Sequence, residues 1–155
     1  MIVVTGAAGF VGQAVHERLN EAGHDVLALT HGKLFQPGHG EISLDLNDPR
    51  HYESLRNSCE AAGTLIHLAG LVPVALGPGI DGDHRPRATA QDFSGVYQSN
   101  VVMTARLLEF ALSVGIRHVV FASSQSVYGL PPATVVTEDT PPAPLEHYAA
   151  SKVAC

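Results

Sequence analysis

Short apolar runs alternate with longer stretches of helical periodicity from the first residue onward. Residues 2–5 form the first apolar run, and four more occupy residues 25–30, 42–44, 64–69 and 118–122. Short runs of this kind, bounded by glycine or polar residues, indicate buried strands, and their alternation with helical stretches is typical of βαβ units. The pattern therefore predicts a mainly parallel sheet with helices between its strands.

The helical stretches are recognised by apolar residues that recur every three or four positions. The first helix is predicted to end at Gly23, with a buried stripe of Val11, Val15, Leu19 and Ala22. A modest helix is predicted over residues 52–62. A longer helix is predicted to end at Gly115, with one apolar face made of Val101, Ala105, Leu108 and Leu112. Residues 145–155 contain helix-forming residues but too few for three full turns, which indicates a chain that stops inside an element.

Two segments contain neither pattern and are predicted to be loops. Residues 70–94 are rich in Gly, Pro, Asp and Arg, and a segment of that length without regular structure is typical of a mobile active-site loop. A second loop is predicted over residues 131–144. The remaining elements fit a single domain over residues 1–155.

Composition narrows the class of protein. The chain has 155 residues, of which 45% are hydrophobic and 15% charged, the balance of a folded domain. Its net charge of −6 disfavours a nucleic-acid partner. The two cysteines are far apart, which favours a reducing, cytoplasmic compartment, and no secretion signal or membrane span is visible. The nine histidines are scattered, so no metal site is expected.

The most informative motif lies between the first strand and the first helix. Residues 5–12 read TGAAGFVG, which places Gly6, Gly9 and Gly12 at intervals of three. Glycines at such a turn let a pyrophosphate approach the backbone N–H groups at the positive end of a helix. A turn that merely needs positive φ is the alternative, and the strand and helix on either side favour the dinucleotide.

A second group of residues has acid–base chemistry. Tyr148 and Lys152 are four residues apart, so on a helix they project from the same face. A neighbouring cation is expected to lower the pKa of the phenol and to make Tyr148 a usable general acid or base. Ser124 follows the fifth strand, at the sheet edge where ligands of parallel sheets bind. The alternatives are an exposed Tyr–Lys pair and a serine turn.

These motifs resemble the extended short-chain dehydrogenase/reductase family, which shares T-G-x-x-G-F-x-G, S-S-x-x-V-Y-G and Tyr-x-x-x-Lys. The resemblance implies a Rossmann-like, doubly wound, three-layer αβα fold and an NAD(P)-dependent epimerase or oxidoreductase acting on a nucleotide sugar. It implies that Tyr148 exchanges the proton, Lys152 tunes it and holds the cofactor ribose, and Ser124 positions the reacting oxygen. The resemblance implies further cofactor contacts at Gly6, Ala8, Gly9, Phe10, Val11, Gly12, Leu68, Ala69, Gly70 and Asn100.

The cofactor's identity depends on the end of the second strand. An acidic residue there would bind the ribose of NAD, whereas this chain has Thr30, His31 and Lys33, which favour NADP; a merely solvated lysine is the alternative. The pair Asp45 and Leu46 resembles the family's D-L pair near the adenine, and a cap or turn role for Asp45 is held equally open. Apart from the resemblance, His67 is interpreted as a core histidine, Asn100 as an N-cap, and Glu138 and Asp139 as solvated acids.

Two departures from the family limit these expectations. Sugar dehydratases of the family have an Asp–Glu pair where this chain has Gln125 and Ser126, which favours epimerisation or carbonyl reduction over dehydration. Family members are also longer, with further strands and a carboxyl-terminal substrate subdomain. A non-catalytic dinucleotide-binding module or an inactive fragment is therefore the competing interpretation. A homodimer through helices near residues 100–114 and from Tyr148 onward is implied by resemblance only.

Overall fold

The computed structural model describes residues 1–32, 40–72, 93–130 and 135–155, which form two compact units. The first unit comprises residues 1–70 and 105–122, and the second comprises residues 71–104 and 123–155. The expected single domain over the whole chain stays a prediction. Lys33 and most of the expected mobile loop lie outside the described residues.

A parallel sheet of five strands forms the centre of the first unit, as predicted. The strands are β1 (Ile2–Thr5), β2 (Val26–Thr30), β3 (Glu41–Ser43), β4 (Thr64–His67) and β5 (His118–Phe121). Their order in the sheet is β3-β2-β1-β4-β5. Crossover connections between parallel strands require intervening segments, and helices supply them between β1 and β2, between β3 and β4, and between β4 and β5. The Rossmann-like α/β fold is therefore confirmed.

The helices of both units match the predicted stretches with shifted ends. They are α1 (Phe10–Glu21), α2 (Arg50–Cys59), α3 (Phe93–Tyr97), α4 (Met103–Ser113) and α5 (His147–Ala154). Gly23 and Gly115 follow α1 and α4 with φ of +78° and +85°, the left-handed conformation that ends a helix, so both predicted stops are confirmed. No helix in the described part of the chain combines the length and apolar character needed to cross a membrane.

The core of the first unit is layered on both faces of the sheet. All five residues of β2 are buried, which explains why this strand reads as an uninterrupted apolar run. Val4 pairs in register with Ala28 and Ile66, and Leu19 of α1 packs against this row. The neighbouring row, which faces the other side of the pleat, consists of Val3, Leu27 and Leu65 and is also buried.

The predicted buried stripe of α1 is confirmed in part, because Val15 and Leu19 are half-buried and Leu19 packs against the core, whereas the two ends of the stripe are wrong. Val11 is 56% exposed and Ala22 is also exposed, whereas Gly12 and His16 are buried. The reason is that the start of α1 lies against the backbone of the glycine turn, where only a residue without a side chain fits. Periodicity finds apolar residues and therefore passes over a glycine and a histidine.

The predicted face of α4 is likewise displaced. Ala105 and Leu112 are exposed, and the helix buries Leu107, Phe110 and Ala111 instead. Both stripes of this helix are apolar, so the spacing of hydrophobic residues could not select between them.

The second unit contains α3, α5 and two irregular helical segments. Residues Gln98–Val102 form a π-helical segment between α3 and α4, and Gln125–Tyr128 form a 3-10 turn. The centre of this unit is small and partly polar, with Val96, Asn100, Val127, Ala149 and Ser151 buried. π-helical segments are frequent at functional sites, so the position of Asn100 within one directs attention to it.

Candidate active site

Several predicted site residues of the first unit follow the carboxyl ends of neighbouring strands. Because β1, β2, β3 and β4 are parallel, these ends lie along one edge of the sheet. Gly6 follows β1, His31 follows β2, Asp45 follows β3, and Leu68 follows β4. This is the edge at which open parallel sheets bind ligands.

The glycine turn is closed against the end of β4. Gly6 has φ of +68°, and a Cβ atom at this position would lie 2.7 Å from the backbone nitrogen of Ala69. The Gly9 N–H donates to the Gly6 carbonyl over 2.9 Å and completes the turn. Gly6 is therefore required both by backbone conformation and by the close approach of a second chain segment.

At the start of α1, the backbone N–H groups have no side-chain cap and can donate hydrogen bonds to a ligand. Gly9 is its N-cap and has no side chain to cap the first N–H groups, and a Cβ atom at Gly12 would collide with the Gly6 carbonyl oxygen. The first two helical residues, Phe10 and Val11, are 96% and 56% exposed. A helix start of this kind attracts a negatively charged group.

A buried hydroxyl joins β1 to the residues after β4. Thr5 Oγ1 accepts hydrogen bonds from the N–H groups of Leu68 and Ala69, each over 3.2 Å. The same oxygen lies 2.7 Å from Nδ1 of His67, a residue only 1% exposed. His67 is thus a hydrogen-bonded core histidine, as its sequence interpretation held.

The residues predicted to face the adenosine end of a cofactor differ in exposure and in hydrogen bonding. His31 is exposed beside Gly32. Asp45 Oδ1 accepts from the backbone and side-chain nitrogens of Asn47 over 2.9 and 3.1 Å, which is the turn role held open for it. Leu46 is buried, and its carbonyl accepts the Tyr52 hydroxyl over 2.9 Å.

In the second unit, Ser124 begins the 3-10 turn. Its Oγ accepts from the Ser126 N–H over 3.2 Å and lies 2.9 Å from Ser126 Oγ. A cavity of about 330 Å³ lies beside this turn, lined by Gln125, Ser126, Tyr128, Gly129 and Val136. Among the described residues, the lining of this cavity has no charged side chain.

Tyr148 and Lys152 lie one turn apart on α5, as predicted. Glu146 caps this helix, because its carboxylate accepts from the N–H groups of Tyr148 and Ala149, each over 2.8 Å. Lys152 Nζ lies 5.9 Å from the centre of the Tyr148 ring. Lys152 is 7% exposed, so most of its side chain is buried.

The expected direction of the Tyr148 pKa is wrong in this structure. Burial raises the pKa of Tyr148 above its usual value of 10.0, a hydrogen bond with Ser124 lowers it, and the Glu146 carboxylate raises it, with a net rise. Burial also lowers the pKa of Lys152. Spacing alone indicated the Tyr–Lys proximity, whereas the loss of solvation that dominates both groups depends on the packing around them.

Asn100 connects three parts of the second unit. Its Oδ1 accepts from the Leu71 N–H over 2.7 Å, and its Nδ2 donates to the Leu71 carbonyl over 3.1 Å and to Ser151 Oγ over 2.9 Å. Ser151 Oγ in turn donates to the Tyr148 carbonyl over 2.7 Å. The interpretation of Asn100 as an N-cap is therefore wrong, and its side chain instead braces the helix that bears Tyr148.

The structure groups the predicted residues into two sets, one in each unit. The glycine turn, Leu68 and Ala69 form the first, and Ser124, Tyr148, Lys152 and Asn100 form the second. Their contacts with a cofactor or substrate stay predictions. Sequence reasoning did not predict the hydrogen bonds of four supporting residues, because single hydroxyls and carboxylates have no periodic signal: Thr5, Ser126, Glu146 and Ser151.

Comparison with known proteins agrees with the fold and with the family resemblance. The family model described as NAD dependent epimerase/dehydratase family matches residues 2–155. A UDP-glucose 4-epimerase of Mycolicibacterium smegmatis is 35% identical over 98% of this chain and 48% of its own length. The chain thus spans about half the length of the curated relatives it matches.

Solved structures give the same result. MoeE5 in complex with UDP-glucose and NAD is 35% identical, with a TM-score of 0.77 over 99% of this chain and 46% of its own. A short-chain dehydrogenase/reductase superfamily protein from Agrobacterium tumefaciens with bound NAD is 31% identical, with a TM-score of 0.79 over 99% of this chain and 42% of its own. Both are similar to this chain in sequence as well as in fold.

Proposed function

The chain belongs to the NAD dependent epimerase/dehydratase family. We propose that it functions in an NAD-dependent epimerase that acts on a nucleotide sugar. The observation that supports this most directly is the glycine turn. Gly6 precedes α1 and Gly12 lies in its first turn, and a side chain at either position would collide with backbone beside the N–H groups of the helix start. The turn therefore fits the pyrophosphate of a dinucleotide.

The proposed cofactor is NAD, because the similar solved structures hold NAD. The N–H groups at the start of α1 would bind its pyrophosphate, with Phe10 and Val11 beside it, and the residues after β2 and β3 would face its adenosine. When bound, NAD supplies the acceptor and donor of a hydride. NADP, which His31 and Lys33 favour from the sequence, is the alternative that a binding measurement decides.

The proposed acid–base group is Tyr148. Its phenol would take the proton from a sugar hydroxyl and later return it, while the Ser124 hydroxyl positions that oxygen. A hydrogen bond with Ser124 already lowers the pKa of Tyr148, against the rise from burial. Lys152 would hold the cofactor ribose and add positive charge near the phenol.

The proposed substrate is a nucleotide sugar with a uridine diphosphate. This rests on the relatives, one a UDP-glucose 4-epimerase and another bound to UDP-glucose. Gln125 and Ser126 beside Ser124 provide no carboxylate for water elimination, which favours epimerisation or reduction. A homodimer and a cytoplasmic location are further parts of the proposal.

Substitution of Tyr148 by Phe tests the catalytic role. The Tyr148→Phe variant lacks only the hydroxyl, so we expect turnover of UDP-glucose to fall by about a hundredfold or more while NAD affinity changes little. Turnover is measured by following UDP-galactose formation, and NAD affinity by calorimetry. Tyr128→Phe, which alters a tyrosine given no proton-transfer role, is the matched control. Turnover by Tyr148→Phe at the unsubstituted rate would contradict the assignment.

A dinucleotide-binding unit without turnover is the second candidate. Burial raises the pKa of Tyr148, which lowers the population of the phenolate that would accept a proton and so favours this candidate. NAD binding without any UDP-galactose formation by the unsubstituted chain would support this second function.

A further inference from the structure

Thr5 at the end of β1 and His67 at the end of β4 form a buried hydrogen-bonded pair. We propose that His67 is a positioning residue of the dinucleotide site: its Nδ1 accepts a hydrogen bond from the Thr5 hydroxyl, and this fixes the Thr5 oxygen toward the Leu68 and Ala69 N–H groups, which lie against the glycine turn. The link to a dinucleotide rests on the proposed function. The hydrogen-bond arrangement itself rests on distances within the first unit.

Counting donors and acceptors assigns the proton. A hydroxyl oxygen has two lone pairs and one hydrogen. The Leu68 and Ala69 N–H groups, each 3.2 Å from Thr5 Oγ1, both donate to this oxygen, and the Leu68 N–H is shared with the Thr5 carbonyl oxygen, 3.3 Å away. The remaining hydrogen must be donated, and His67 Nδ1 lies 2.7 Å away. Nδ1 is therefore the acceptor.

The opposite arrangement fails on the same count. If Nδ1 bore a hydrogen and donated it, three donors would point at Thr5 Oγ1 and the hydroxyl hydrogen would lose its acceptor. Thr5 is fully buried and His67 is 1% exposed, so water cannot replace the missing partners. A buried donor without an acceptor is costly. His67 is therefore neutral, with its hydrogen on Nε2.

The consequence reaches the glycine turn through the backbone. Thr5 Oγ1 holds Leu68 and Ala69, and the Ala69 nitrogen lies where it would be 2.7 Å from a Cβ atom at Gly6. The Gly6 carbonyl in turn accepts the Gly9 N–H that completes the turn. His67 thus acts on the turn through Thr5, without being placed against the cofactor itself.

The tautomer is measured directly by nitrogen NMR of the full chain at neutral pH. The nine histidines are distinguished by loss of one signal in His67→Asn. We expect the His67 signals of an unprotonated Nδ1 and a protonated Nε2. A protonated Nδ1 would overturn the proposal, whether or not the chain binds a dinucleotide.

Four variants test the positioning effect. His67→Phe keeps a ring and removes the acceptor, whereas His67→Asn places an amide oxygen near the Nδ1 position. Thr5→Val removes the hydroxyl, whereas Thr5→Ser keeps it. Without NAD, we expect hydrogen exchange of the Leu68 and Ala69 amides to be roughly tenfold faster in His67→Phe and Thr5→Val, since one net hydrogen bond is lost. The Asn and Ser variants should exchange close to the unsubstituted rate.

NAD affinity provides the functional measurement. We expect it to fall roughly tenfold in His67→Phe and Thr5→Val, with recovery in His67→Asn and Thr5→Ser. Unchanged exchange and unchanged affinity in His67→Phe would overturn the positioning role. If His67→Phe does not fold, the measured tautomer of His67 and the comparison of Thr5→Val with Thr5→Ser test the positioning role instead. Failure of the unsubstituted chain to bind NAD or NADP would instead contradict the proposed function, and the tautomer and exchange results would still decide the hydrogen-bond arrangement.

Discussion

Tyr148 shows how burial and neighbouring groups compete at one residue. Burial and the Glu146 carboxylate disfavour the phenolate, and a hydrogen bond with Ser124 favours it. Burial has the larger effect, so the phenol is protonated at neutral pH. The residue is therefore ready to donate a proton, and it needs further stabilisation of its anion before it can accept one.

Two substitutions should move the pKa of Tyr148 in opposite directions. Ser124→Ala removes a hydrogen bond that stabilises the phenolate, so the pKa rises further; Glu146→Gln removes a negative charge, so the pKa falls and ionisation begins at lower pH. Carbon NMR of ring-labelled tyrosine measures both shifts, and Tyr148→Phe identifies the signal among the four tyrosines. Glu138→Gln, at an exposed loop acid, is the control. A shift of the same sign in both variants would contradict this account.

The site residues were predictable from the sequence where the backbone fixes their spacing. Tyr148 and Lys152 lie on one face of α5 because they are four residues apart. The direction of the Tyr148 pKa was not predictable, because it depends on packing contributed by residues distant in sequence. The same holds for Thr5, whose role depends on His67 and Ala69, more than sixty residues away.

At the scale of elements, the glycine turn determines how α1 begins. Gly12 packs beneath the Gly6 carbonyl, so the buried stripe of α1 starts at residue 12 rather than at Val11. The strands, the helix stops and the parallel pairing were predictable, because each has a local signal. The buried faces of α1 and α4 were not, because a contact with backbone selects glycine and two apolar stripes are equivalent by periodicity.

A pair of glycine substitutions tests this packing. In Gly12→Ala the added methyl group would collide with the Gly6 carbonyl, so we expect a loss of about 2 kcal/mol of unfolding free energy and loss of NAD binding. Gly63→Ala is the matched control, because a Cβ atom there meets nothing within 4 Å and its φ is not positive. Denaturant unfolding and calorimetry measure both effects. Equal stability and equal NAD affinity in the two variants would show that the turn tolerates a side chain.

At the scale of the molecule, the chain combines a dinucleotide-type sheet with a separate set of acid–base residues. The fold class followed from the alternation of strands and helices, and the family from motifs spread over nearly the whole chain. The division into two compact units did not follow, because each unit combines two segments that are separated in the sequence. The similar proteins are about twice as long as this chain, so about half of their length has no counterpart in it.

Native mass spectrometry of the purified chain, with NAD, with NADP and with neither, tests the central claim most directly. We predict one NAD retained per chain of 16.3 kDa, with NADP retained less well. Preferential retention of NADP would keep the dinucleotide site and restore the cofactor choice that His31 and Lys33 favour from the sequence. Retention of neither dinucleotide would contradict the account, because the glycine turn would then be a turn without a ligand.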